Sequence, residues 1–127
     1  MSTEPRTITL PTADHGPVTL DEPTWCMGHS HHDPNTERVD LIHSGPDIQL
    51  NFRYVTLLSA CLVQSPYAGA SQPSLGGRTP GVSVHPLGLT LDATQVYDLA
   101  ARLDTFADRL RDLADQLAGI RAGGGGR

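Results

Sequence analysis

Apolar and polar residues alternate with a period of two in several short stretches before residue 92, which is typical of half-buried β-strands. The stretches are residues 7–10, 18–20, 39–43, 48–53, 81–85 and 87–91. We expect the first two to form one hairpin and the next two to form another that spans residues 39–56. Residues 55–63 are more continuously apolar, so they either extend that hairpin or form a further strand buried on both faces.

A different period begins after Asp92 and predicts one long amphipathic helix. Asp92 is a favourable N-cap residue, and Gln95 follows three residues later in a capping-box arrangement. Gly119 lies near the expected end, and residues from 122 onward form a Gly-rich tail. The apolar positions, separated alternately by three and four residues, are Val96, Leu99, Leu103, Phe106, Leu110, Leu113, Leu117 and Ile120.

These eight positions, here called the apolar stripe, leave two interpretations of the helix open. The sustained spacing is typical of coiled coils, yet Ala100, Ala107 and Ala114 widen the stripe where a coiled coil usually carries charge. The helix therefore either covers a sheet within a monomer or packs closely against a second subunit. A helix of about 27 residues is about 40 Å long and would outrun a small sheet. We therefore favour a homodimer whose partner interface runs along the helix from Val96 to Leu117.

The predicted fold is α+β: a small antiparallel sheet of short strands packed by one long C-terminal amphipathic helix. At 127 residues the chain has room for one domain. We assign residues 1–6 to a disordered N-terminus, 7–121 to the domain and 122–127 to a flexible tail.

Composition and charge exclude several classes of protein. No apolar stretch is long enough to cross a bilayer, and residues 1–10 do not resemble a secretory signal. The net charge of −5, without a basic block, argues against a further hypothesis, that the chain is a nucleic-acid-binding regulator. Two cysteines with no sign of an oxidising compartment indicate reduced thiols and a cytoplasmic protein.

Candidate chemistry is concentrated in residues 25–33, a turn-rich segment without periodicity. Cys26 and His29 are separated by two residues, a spacing that lets a thiolate and an imidazole bind one ion, with Gly28 supplying backbone freedom. His43, at the end of a predicted strand, is the expected third ligand. The fourth is His31, His32, Asp33 or a water molecule. Mixed thiolate and imidazole ligands favour Zn²⁺.

A plainer interpretation of the same segment stays open. Cys-x2-His with one distant histidine matches no standard zinc-finger spacing. The histidines would then be solvated, and Cys26 would be buried as a small apolar residue beside Trp25.

The same region carries a resemblance. The matching positions are Trp25, Cys26, His29, Asp33, His43, Ser44 and Gly45. With the strand and helix that follow, this string resembles a family of short uncharacterised actinobacterial proteins, over roughly residues 20–118 as an order of elements. The resemblance implies that these matching residues are important in the family, and it implies no activity.

Two main functional hypotheses follow. The first is a non-enzymatic interaction or regulatory protein, dimeric through its helix, with a Cys/His loop that binds zinc. The second is a small enzyme acting at the same loop, in which residues 65–80 form a lid. It would use an open zinc position with Asp33 or Glu37 as base, or a Cys26 nucleophile activated by His43. No catalytic motif such as HExxH is present, which favours the first hypothesis.

Overall fold

A computed structural model describes residues 6–69 and 76–122. The chain divides into two compact units, residues 1–93 and residues 94–127. In the described part the first unit carries the strands and the second carries the helix. The α+β class, with small antiparallel sheets of short strands and one long C-terminal helix, is confirmed. The division into one domain and two disordered ends stays a prediction, and residues 1–5 and 123–127 lie outside the described residues.

The first sheet is a two-stranded hairpin at the start of the chain. Its strands β1 (Arg6–Thr12) and β2 (Gly16–Glu22) pair antiparallel, as predicted, with Ile8 opposite Leu20. Gly16 lies in the connecting turn with φ +60°, where a residue without a Cβ is favoured. Alternate residues of β2 point inward, so Leu20 is buried while its neighbours Thr19 and Asp21 are exposed.

The second sheet has five strands and is organised around its longest member. The strands are β3 (His43–Ser44), β4 (Ile48–Phe52), β5 (Val55–Gln64), β6 (Gly81–His85) and β7 (Leu89–Leu91). Both β3 and β4 pair with β5, which pairs with β6, and β6 pairs with β7, all antiparallel. Residues 55–63 therefore belong to a strand of their own rather than to an extension of β4. The expectation that such a strand is buried on both faces is wrong, because Val55, Leu57 and Leu62 are 59%, 50% and 40% exposed.

The strand predicted at residues 39–43 is wrong. Arg38–Asp40 form a short 3-10 turn, and only His43 and Ser44 pair as a strand, with the far end of β5 rather than with β4. The backbone N–H of Leu41 closes this turn by donating to the carbonyl of Arg38 at 3.2 Å. The Leu41 side chain, 2% exposed, packs with Leu10 and Leu20 in a small core beneath the hairpin. Burial of this one side chain, not strand periodicity, accounts for the apolar residue here.

The helix α1 runs over Ala93–Ala122, beginning directly after Asp92 and ending three residues after Gly119, close to the predicted end. From Leu103 to Ile120 the residues of the apolar stripe are between 40% and 61% exposed. Its outer face carries pairs between Arg102 and Asp98 at 3.2 Å and between Arg111 and Asp108 at 2.9 Å. In the described part of the chain, no helix combines the length and the apolar character that a membrane span requires.

Candidate metal centre

Four side chains from three parts of the first unit converge on one point. They are Glu22 at the end of β2, Cys26 and His29 in the loop that follows, and His43 at the start of β3. One potential ligand atom from each lies within 4.8 Å of all the others. We call these four residues the Glu-Cys-His-His cluster.

Three of the six distances between the ligand atoms of the cluster lie close to the edges of a zinc tetrahedron. Such edges are roughly 3.3 Å between nitrogen or oxygen ligands and about 3.6 Å between sulfur and nitrogen, given the usual bond lengths. Nε2 of His29 lies 3.1 Å from Oε1 of Glu22 and 3.6 Å from Sγ of Cys26. Nδ1 of His43 lies 2.9 Å from the same Glu22 oxygen. A single ion could therefore be held without large movement of the four side chains.

The Nδ1 atom of His43 gives a second indication. It is buried and has no hydrogen bond of acceptable geometry, although the Glu22 carboxylate is close. Buried polar atoms rarely stay unsatisfied, because the loss of hydration costs about 1–3 kcal/mol. A buried nitrogen that lies 2.9 Å from a carboxylate oxygen without a hydrogen bond between them is an arrangement that a shared metal ion would satisfy.

The loop that carries Cys26 and His29 is fixed by its backbone. Cys26 N–H donates to the Pro23 carbonyl at 3.1 Å, and Met27 N–H donates to the Ser44 carbonyl of β3 at 2.9 Å. Gly28 has φ +99°, a region that favours glycine, and its N–H lies 3.5 Å from the Cys26 sulfur, close enough to support a thiolate. The freedom expected of Gly28 from the sequence is thus used in this turn.

Aromatic contacts and a close backbone approach pack the loop against β3. The rings of Trp25 and His43 meet edge to face, with centroids 6.4 Å apart. A Cβ at Gly45 would lie 3.3 Å from the Trp25 carbonyl oxygen, so a larger residue there would press on the loop. These contacts place Trp25 and Gly45, singled out by the sequence, in support of the cluster rather than in it.

Burial and mutual charge perturb the ionisation of three members of the cluster. Burial is the largest influence on Glu22 and opposes its ionisation, yet hydrogen bonds from His29 and Cys26 and the charges of the two histidines outweigh it and lower its pKa. Burial lowers the pKa of His43, against the opposing attraction of Glu22. Burial also raises the pKa of the Cys26 thiol, and Glu22 adds to this effect. A bound cation would reverse the last of these, because metal ligation deprotonates a thiol.

Three residues that the sequence offered as the fourth ligand lie outside the cluster. His32 donates through Nε2 to the Pro11 carbonyl at 2.7 Å, which ties the loop to the first hairpin. Asp33 is exposed, and its Oδ1 accepts from the Asn35 N–H at 2.9 Å. His31, the other alternative for a fourth ligand, is also exposed. The structure brings Cys26 and His29 together with His43, and supplies Glu22 in place of these three.

Sequence reasoning missed Glu22, although the chain contains a signal for it. Val18, Leu20 and Glu22 occupy alternate positions of β2, so the carboxylate shares the inward face with two apolar side chains. Its side chain is 8% exposed. An acidic residue on the buried face of a strand needs a compensating partner, and a cation held together with Cys26 and His29 is one.

A cavity of about 550 Å³ lies beside the cluster. Its walls come mainly from the loop between Met27 and Asp33 and from residues 40–44. Of the four cluster residues only His29 lines it.

A family model described as a domain of unknown function (DUF6907) matches residues 7–119, which is most of the chain. The chain belongs to this family. No curated protein and no solved structure matches it. The family match covers the whole cluster together with the helix up to Gly119, so both features lie inside the DUF6907 domain.

Proposed function

We propose that Glu22, Cys26, His29 and His43 bind one Zn²⁺ in a closed tetrahedral site, and that this site stabilises the fold of a non-enzymatic interaction or regulatory protein. The observation that carries the proposal is the convergence of four ligand atoms within 4.8 Å, at spacings that suit a zinc tetrahedron. Four protein ligands are typical of structural zinc, whereas catalytic zinc usually keeps one position for water.

Charge balance supports the same ion. With a thiolate, a carboxylate and two neutral imidazoles, the ligands carry two negative charges, which neutralise a divalent cation in a half-buried setting. The sulfur and imidazole ligands suit zinc better than magnesium or calcium. The ion would join the end of β2, the loop and β3, and so fix the approach of the two sheets within the first unit.

The alternative of a small enzyme at the same loop requires an open metal position next to a pocket. The cavity of about 550 Å³ offers the pocket, but among the cluster residues it is lined by His29 alone. Asp33 and Glu37, the bases that such an enzyme would use, are exposed and outside the cluster. The closed site is therefore the better-supported proposal. Free Cys26 and Cys61 fit the reducing cytoplasm that we propose as its location.

Metal analysis of the purified, untagged protein tests the site. Elemental mass spectrometry should find about one zinc per chain, and Cys26→Ser or His43→Ala should lower that value strongly. His31→Ala and Asp33→Asn are matched controls, since they alter the same loop outside the cluster and should keep the zinc. Substitution with Co²⁺ should give the intense visible absorption of a tetrahedral site with a thiolate ligand. Metal-free protein, or equal zinc in all variants, would refute the proposal.

The helix supplies the second part of the proposed function, a homodimer interface. Support comes from the apolar stripe, whose members from Leu103 to Ile120 are between 40% and 61% exposed on a helix that follows a heptad pattern throughout. The interface would comprise Val96, Leu99, Leu103, Phe106, Leu110, Leu113 and Leu117. Light scattering should then give twice the chain mass of 13.6 kDa.

A further inference from the structure

We infer that two copies of this chain pair their helices antiparallel, centred level with Asp108, with the alanine flank of one helix against the alanine flank of the other. The inference rests on the homodimer proposed above and gives it an orientation and a register. It follows from how the residues around the helix repeat, and from which of them lie opposite one another in each orientation.

The apolar stripe matches itself over its whole length in this register. In antiparallel coiled coils the first apolar position of a heptad lies level with the second position of the partner. Every layer is then filled by two large apolar side chains. The layers pair Val96 with the partner's Ile120, Leu99 with the partner's Leu117, Leu103 with the partner's Leu113, and Phe106 with the partner's Leu110.

Size complementarity favours the antiparallel orientation. Ala100, Ala107 and Ala114 recur every seven residues along one flank of the stripe. Antiparallel pairing sets Ala107 against the partner's Ala107, and Ala100 against the partner's Ala114. Small residues facing small residues let two helices approach closely along this flank. Parallel pairing would instead place each alanine opposite the long side chains of the other flank.

The charges of the other flank do not distinguish the two orientations. That flank carries Arg102, Arg109 and Gln116. Arg102 has an aspartate of the partner two residues from its own level in either orientation, the partner's Asp112 in the antiparallel register and the partner's Asp104 in a parallel pair. The alanine flank therefore decides the orientation.

A disulfide cross-link tests orientation and register together. The full chain, loaded with zinc and carrying Cys61→Ser, is the parent, and each variant adds one cysteine to the helix. Ala107→Cys should form an interchain disulfide with oxidised glutathione, because its two copies face each other across the central axis. Leu110→Cys meets itself only in a parallel pair, and Asp108→Cys lies on the outer face. Both should cross-link at least about fivefold less than Ala107→Cys on a non-reducing gel.

Each other outcome has a definite meaning. Cross-linking through Leu110→Cys but not Ala107→Cys would establish a parallel pair and overturn the inference. A dimer that cross-links through neither would place the contact elsewhere and also overturn it. A monomeric mass for the unmodified chain would remove both the dimer and its register. Zinc per chain, measured on the same samples, separates these failures from a failure of the metal site.

Discussion

The metal cluster and the helix, which carry the two parts of the proposed function, differ in how their residues are brought together and in how far they are buried. Glu22, Cys26, His29 and His43 come from separate elements, and the Glu22, His29 and His43 side chains are between 2% and 9% exposed. The apolar stripe comes from one continuous element, and most of it is at least 40% exposed. The metal cluster is therefore formed only when distant parts of the chain fold together, whereas the apolar stripe is set by the local period of the sequence.

This difference determines how each region should respond to change. Four ligands share one ion, so the loss of any one affects the other three, and the strands that carry them, together. Along the helix each layer contributes its own buried area, so single changes should weaken association by degrees. The predictions below break one region while leaving the other as the internal control.

Metal removal should have the largest effect. Structural zinc contributes on the order of 10 kcal/mol to folding, which is comparable to the whole stability of a small domain. We expect a strong chelator to lower the melting temperature of the first unit by roughly 10 °C or more. Much of the helical circular dichroism at low temperature should persist, and added zinc should restore the transition. An unchanged melting curve after complete zinc removal would show that the cluster does not stabilise the fold.

The substitution Leu41→Ala should have the next largest effect. Leu41 is 2% exposed and packs with Leu10 and Leu20 two residues before His43. Its truncation should cost about 2–5 kcal/mol of the free energy of unfolding, and it should also weaken zinc binding by loosening the segment before His43. Val39→Ala, at a position 43% exposed, is the control and should change neither quantity by much. Urea unfolding with zinc titration measures both.

Glu22→Gln tests the ligand that the sequence pattern did not single out. The amide keeps the shape of the carboxylate but loses its charge, so zinc affinity should fall at least about 100-fold. Asp21→Asn, the exposed neighbour on the other face of β2, should leave the affinity unchanged. Competition with a zinc indicator gives both values. Equal affinities in the two variants would reduce the site to three protein ligands and revive the catalytic hypothesis.

Particular residues show why the cluster was only partly predictable. The two-residue spacing of Cys26 and His29 and the position of Gly28 are local, so the sequence pointed to them. Glu22 reaches the site because β2 ends there, and His43 because β3 pairs with the far end of β5. That pairing depends on contacts distant in the chain. His32 and Asp33 lie in the same loop as Cys26 and His29 and carry side chains that also bind metals, so only the structure separates them from the cluster.

The fold, like the cluster, was predictable only where local sequence signals determine the structure. The first hairpin, β4 and the start of α1 follow from alternation, turn residues and capping, all local signals. The segment 39–43 has the composition of a strand, but burial of Leu41 and the turn at Arg38–Asp40 determine its conformation. The predicted strand was therefore wrong, although His43 does lie in the cluster.

Leu110→Glu should break the helical contact and leave the metal site intact. Each dimer carries the substitution twice, so exposing the leucines and placing charges in two central layers should cost at least about 2 kcal/mol, or at least a roughly 30-fold weaker dimer. Ala101→Glu adds the same charge on the outer face and should change the dimer little. Sedimentation at several concentrations gives both constants. Equal dissociation constants for the two variants would place the interface away from the apolar stripe, while zinc per chain should stay constant throughout.

The smallest predicted effect concerns the turn of the first hairpin. Asp14 Oδ1 accepts the Arg38 N–H at 2.9 Å, and Oδ2 lies 3.0 Å from Nδ1 of His15. The Arg38 hydrogen bond, followed by the contact with His15, lowers the pKa of Asp14 below its usual value of 3.8. Because the pKa of Asp14 is lower in the folded chain than in the unfolded chain, its carboxylate stabilises the fold at pH values above 3.8. This stabilisation is lost as the pH falls through the pKa of the folded state.

Asp14→Asn should therefore be slightly less stable than the unmodified chain near neutral pH. The difference should persist as the pH falls toward about 5 and shrink below about 4, where the carboxylate of the unmodified chain becomes protonated. Urea midpoints of the two proteins, compared at each pH, measure it, and any loss of zinc in acid is common to both. A difference that grows on acidification would mean that the asparagine acts through the backbone of the turn, because a lost charge cannot produce that sign.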